Sequence, residues 1–243
     1  MSPHIHGGKG AEEAGSRRLL TIAGGLMLGG FVLNVILTAA LHPSGEEDDH
    51  TAIFTEYAES SAWVAVHLGQ FIGVLVTLSG LLVLHRVLRG ADGPSLVARL
   101  AAAATVATAT IWAVLQGLDG VGLKQAVDSW FSASGTEKAI RFANAEAVRW
   151  LEWGFQSYFR IMLGLTLVLF GAAILASRRV AGWLGWTALV AGVCSVIFGV
   201  DVGYSGLASG LQDVLGIVTF ILVLVFATGV LVAGVRERGR HHG

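Results

Sequence analysis

Apolar residues fall in six long runs along the chain, at roughly 19–41, 63–84, 96–117, 158–177, 183–200 and 213–235. Each is close to the ~20 residues a helix needs to cross a hydrocarbon core about 30 Å thick. The breaks between runs carry turn chemistry: HPSG at 42–45, RGADGPS at 89–95, SASG at 132–135, SRRVAG at 177–182 and GVDVGYSGLASG at 199–210. The pattern predicts an all-α, integral membrane bundle of six helices.

Composition agrees with the pattern. The chain of 243 residues is 54% hydrophobic and only 14% charged, against about 25% charged in a soluble domain. Its mean hydropathy is +0.68. Cys194, the single cysteine, sits inside an apolar run and excludes a disulfide within one chain. A net charge of −1 says nothing by itself about partners, and no nucleic-acid partner is expected.

Charge placement orients the bundle. With the N-terminus inside, the inner segments hold Lys9, Arg17, Arg18, Arg86, Arg89, Arg99, Arg178, Arg179, Arg236, Arg238 and Arg240. The outer segments hold Lys124, Lys138, Arg141, Arg149 and Arg160. This asymmetry follows the positive-inside rule and predicts both termini inside, in a plasma (inner) membrane. SRRLL at the head of the first run resembles a twin-arginine signal, but the apolar stretch is longer than the 7–15 residues of a signal core. It reads as a span. Residues 1–18 read as a disordered tail and 236–243 as a basic tail.

Polar residues at membrane depth are costly and tend to mark function. Here they gather on one side. His67 and Gln70 lie in the second span, Gln116 and Asp119 at the outer end of the third, and Glu152, Gln156 and Arg160 at the start of the fourth. Asp201 closes the fifth, Tyr204 follows, and Gln212 and Asp213 open the sixth. Asn34 is in the outer half of the first.

The stretch EAVRWLEWGFQSYFR at 146–160 joins this layer to a cap. At ~100° per residue, Lys138, Arg141, Glu146, Arg149, Glu152, Trp153, Gln156 and Arg160 fall within an arc of about 140°. Ala147, Leu151, Gly154, Phe155 and Tyr158 take the other side. One amphipathic helix therefore runs from the cap into the fourth span, with Arg160 expected to pair with a carboxylate from another helix. Its uncovered apolar face calls for partners. Ile53, Phe54 and Tyr57 in 52–62, and Val121, Leu123, Val127 and Trp130 in 121–131, supply them. Cap segments are expected at 42–62, 118–157 and 201–212.

Several chemistries compete for the polar layer. The acidic loop SGEEDDHTAIFTEYAE at 44–59 offers oxygen ligands but matches no cation-binding loop. His67, Asp119 and Glu152 form a nitrogen and oxygen set, but no metal site is assigned. His67 and His85 share a helix face, yet only His42 is available as a second haem ligand. A membrane enzyme would use the outer carboxylates with His67. No HExxH, CxxC, Walker or GxGxxG motif is present. A transport path is not evident, because the inner half lacks polar groups; a pore would need a homodimer.

The leading expectation is an outward-facing polar pocket for a small-molecule or lipid-like ligand, in a sensor or accessory subunit. Its residues would be His67, Gln70, Gln116, Asp119, Arg149, Glu152, Gln156, Arg160, Asp201, Tyr204 and Asp213. A membrane enzyme and a structural scaffold are the alternatives. Cofactors stay open. Small residues four apart, Gly25 with Gly29, Gly199 with Gly203 and Gly206 with Gly210, read as helix-packing positions.

Overall fold

The computed structural model describes residues 6–42, 49–89 and 95–239, and these are helical almost throughout. Six long helices have the length and composition to cross a membrane. They are α1 (His6–Leu41), α3 (Trp63–Val87), α4 (Leu96–Gly117), α6 (Gly135–Ser177), α7 (Gly182–Ser205) and α8 (Gly210–Gly239). Two short helices, α2 (His50–Glu59) and α5 (Lys124–Phe131), lie at one end. A single π-helical turn, Leu118–Leu123, joins α4 to α5 without a break.

The ends of these elements follow from their residues. Asp49 caps α2 by accepting from the amides of Thr51 and Ala52, both at 3.0 Å. Ser95 caps α4 at the Ala98 amide, 3.3 Å away. Gly206 ends α7 at φ 68°, a backbone conformation open to glycine at little cost.

The long helices pack in chain order as a ring: α1 on α3, α3 on α4, α4 on α6, α6 on α7, α7 on α8, and α8 back on α1. Glycines set how closely the walls approach. A Cβ on Gly164 or on Gly192 would stand 2.5 Å from the other residue's carbonyl oxygen, across the α6–α7 contact. Gly30 faces Gly73 in the same way across α1–α3, and Gly24 faces the Leu231 backbone across α1–α8. Buried Thr108 and Thr166 join α4 to α6 at 2.9 Å.

Two cores result. The larger, with Leu20, Met27, Leu84, Phe170, Leu184 and Phe226, fills the end of the ring away from α2 and α5. The smaller holds the cap together: Ile53, Phe54 and Tyr57 of α2 meet Trp63, Leu123, Val127, Trp130 and Ala145. Lys124 donates to the Ala58 carbonyl at 2.9 Å and ties α5 to the end of α2.

Several expectations change. Residues 6–18, read as a disordered tail, are helical and continuous with the first span. The close approaches on α1 use Gly24 and Gly30; Gly25 and Gly29 have nothing within 4 Å, and neither does Gly210. Val121 is 46% exposed and does not join the cap core. On α6 the two faces are reversed from a soluble cap. Arg149 and Glu152 are each 3% exposed, whereas Trp150, Leu151 and Tyr158 face outward at 57%, 56% and 63%. This is the sorting expected where a helix borders lipid, since apolar side chains are at home against acyl chains and polar ones turn inward. The acidic run 43–48 lies outside the described residues.

Candidate functional site

The ring encloses a cavity of about 510 Å³ to which each of the six long helices contributes. Four of them contribute a stripe at helical spacing, and α7 contributes Phe198 alone. On α8 the stripe is Gln212, Gly216, Thr219, Val223 and Phe226; on α6 it is Arg149, Glu152, Gln156, Arg160, Leu163 and Leu167. On α1 it is Met27, Phe31, Asn34 and Thr38, and on α3 it is Gln70, Val74, Thr77, Leu78 and Leu81. These four stripes are polar toward the cap and mostly apolar toward the other end. From Gln212 to Ala227 the lining runs about 22 Å at ~1.5 Å per residue. A volume of this size along such a length makes a narrow shaft.

The polar end is built from fixed pairs. Arg149 donates to Glu152 at 2.8 Å on the same helix, with its guanidinium 5.7 Å from the Tyr57 ring and 5.5 Å from the Trp153 ring. Gln70 donates to Thr38 Oγ1 at 2.8 Å, tying α3 to α1. Gln212 donates to Asp201 Oδ2 and to the Gly206 carbonyl, both at 2.8 Å, and so pins the start of α8 to the end of α7.

Asp119 is placed by the π-helical turn. That geometry carries one residue more per turn than an α-helix and recurs where a side chain must be re-aimed. Gly120 lets the turn close on α3, since a Cβ there would stand 2.6 Å from His67 Cβ. The Trp63 indole then donates to the Asp119 carbonyl at 3.1 Å, and His67 Nε2 meets Asp119 Oδ2 at 3.1 Å. His67 Nδ1 donates to the Trp63 carbonyl at 2.8 Å.

Several lining groups are unmatched. Gln116 Oε1, Asp119 Oδ1, Arg160 Nε, Trp112 Nε1 and Thr219 Oγ1 are buried and have no hydrogen-bond partner among the described residues. Gln116, Trp112 and Thr219 are only 8%, 7% and 5% exposed. Buried polar atoms are normally satisfied, so these five are positions along the shaft where a water or another molecule can bond. Arg160 lies over the Phe198 ring at 4.5 Å. It makes no ion pair among the described residues, contrary to the expected partnership with a carboxylate.

The sequence-predicted residues therefore divide. Gln70, Gln116, Asp119, Arg149, Glu152, Gln156, Arg160 and Asp213 line the shaft together. His67 stands behind Asp119, 2% exposed. Asp201 stands behind Gln212. Tyr204 is 91% exposed and takes no part. Glu152 is not beside His67 and Asp119 as a third ligand; His42 takes that place, the three ligand atoms lying within 4.8 Å of one another. Asn34, Thr38, His42, Tyr57, Thr77, Gln212 and Thr219 add to the polar lining. Of these, the stripe spacing on α1 and α8 was the available signal. Tyr57, read only as a cap core residue, is brought to the shaft by tertiary packing.

Comparison of the chain with family models, with curated proteins and with solved structures found no match.

Proposed function

We propose that the shaft binds an amphiphilic molecule, head toward the cap and tail toward the far end of the bundle. The observation that carries this reading is the shared change of lining from polar to apolar on α1, α3, α6 and α8. A volume near 510 Å³ falls within the range of about 300–1,000 Å³ common to small-molecule sites. Arg160, with no ion pair among the described residues, favours a head group carrying a carboxylate or phosphate. The orphaned Gln116, Thr219 and Trp112 supply neutral hydrogen bonds beside it.

The charge asymmetry of the loops supports a reading with the cap outside a plasma membrane. The ligand then enters from the outer side or the outer leaflet, and the chain serves as a sensor or as an accessory subunit that presents the bound molecule. All six long helices of one chain line the shaft, so this reading does not invoke a homodimer. Catalysis has less support: Glu146 is paired with His50, Glu152 with Arg149, and Asp201 with Gln212.

The test is gentle purification followed by mass spectrometry of what remains bound, for the unaltered chain and for Arg160→Ala. An amphiphile present in near-stoichiometric amount, and depleted at least about 10-fold by the substitution, supports the reading; about 1.4 kcal/mol per tenfold is within the range of one charge-assisted contact. A chain that carries only bulk lipid, with no difference in the variant, overturns it and leaves a scaffold.

A further inference from the structure

His67 poses a bonding problem that its neighbours do not solve. Its Nδ1 is 2.8 Å from the Trp63 carbonyl, which can only accept, so Nδ1 carries a proton. In the neutral ring Nε2 then bears a lone pair. That lone pair points at Asp119 Oδ2, 3.1 Å away, which is an acceptor when ionised. Something positive belongs between them. The other oxygen, Asp119 Oδ1, is buried and has no partner among the described residues. His42, just past the end of α1, brings a third ligand atom, and all three lie within 4.8 Å of one another.

We propose that His42, His67 and Asp119 form a binding site for a divalent transition-metal ion. Two imidazoles and one carboxylate are a usual donor set for zinc or ferrous iron. With metal–ligand bonds of about 2.0–2.1 Å, adjacent donors of a tetrahedral site stand about 3.3 Å apart, close to the 3.1 Å between His67 Nε2 and Asp119 Oδ2. The Trp63 carbonyl behaves as the outer partner of a metal-bound histidine, fixing the tautomer and aiming Nε2. Trp63 also holds the Asp119 backbone through its indole, so one buried residue orients two ligands. Three elements of the chain supply the three ligands: the end of α1, α3 and the π-helical turn. His42 and Asp119 both line the shaft, so the remaining coordination position opens into it.

The experiment uses the full-length chain in detergent, stripped with a chelator and titrated with Zn²⁺, and separately with Co²⁺ as a spectroscopic probe. His4, His6, His241 and His242 are replaced by Ala in every sample, because free histidines bind metal weakly. One Zn²⁺ per chain is expected, with a four- or five-coordinate Co²⁺ spectrum. His42→Ala and Asp119→Asn are expected to lower the affinity more than about 100-fold, beyond the 10–100-fold typical of an outer partner. His50→Ala, whose ring bonds Glu146, is expected to leave it unchanged. Helix content and elution volume confirm folding; should Asp119→Asn fail to fold, His42→Ala decides. No stoichiometric binding, or binding that His42→Ala leaves intact, overturns the proposal and leaves an imidazolium–carboxylate pair at His67 and Asp119. The readout is metal occupancy, so it stands apart from whether an amphiphile is bound.

Discussion

Gly120 lies directly against His67, with 2.6 Å separating His67 Cβ from the place where a Cβ on Gly120 would sit. The contact is between a helix and a π-helical turn, and it decides where Asp119 points. Gly120→Ala should push the turn off α3, lengthening both the Trp63–Asp119 and the His67–Asp119 bonds. A cost of about 1–3 kcal/mol is expected from such overpacking, read as a lower unfolding midpoint in detergent. An unchanged midpoint would show that the turn yields freely.

The Arg149–Glu152 pair is buried, 3% exposed on both sides. Glu152→Gln should cost about 3–5 kcal/mol, because it removes the charge opposite a desolvated guanidinium. The double change Arg149→Met with Glu152→Leu should cost less than Glu152→Gln alone. A double-mutant cycle on chemical denaturation measures this, and additive losses would contradict it.

The α6–α7 seam depends on glycines that face backbone. Gly164→Val should destabilise the bundle strongly, since its Cβ meets the Gly192 carbonyl oxygen at 2.5 Å. Gly29→Ala, with nothing within 4 Å, should be neutral or gain up to about 1 kcal/mol from helix propensity. Comparing the two melting curves separates packing glycines from incidental ones; equal effects would argue against the seam.

Filling the apolar end should act on the tail and spare the head. Val223→Phe narrows the shaft below Thr219 without touching Arg160 or Gln116. The expected result is a shift of the co-purified amphiphile toward shorter chains, with occupancy kept. Mass spectrometry of the extracted ligand reads it directly. An unchanged chain-length profile would mean that the tail does not reach Val223.

The sequence carried the spans, the cap helices and most of the polar lining, because each is encoded at short range. Hydrophobic run length marks a span, and helical spacing marks a stripe. It misled where the answer depended on what surrounds a helix. The polar arc on α6 was read correctly as one face, but its covering was not, since lipid and water reward opposite faces. Arg160 was expected to find a carboxylate, yet pairing across helices depends on rotation about each axis, which spacing does not report. His42, weighed as a haem ligand, stayed outside the pocket residues because its place beside His67 and Asp119 comes from where α1 ends relative to α3 and the π-helical turn. Tyr204 looked alike in sequence to residues nearby but sits on the outer side of the α7 end, where Gly206 turns the chain.

α6 is one unbroken helix of 43 residues, from the cap through the bundle to Arg178. At about 1.5 Å per residue it is some 64 Å long. It carries Arg149 and Glu152 among the cap aromatics, Arg160 in the shaft, and Phe170 and Ile174 in the far core. A rod without a hinge cannot tilt at one end alone. On the proposed reading, a guest that drew Arg160 across the shaft would be expected to carry the segment around Ser177 with it, because both belong to the same continuous helix.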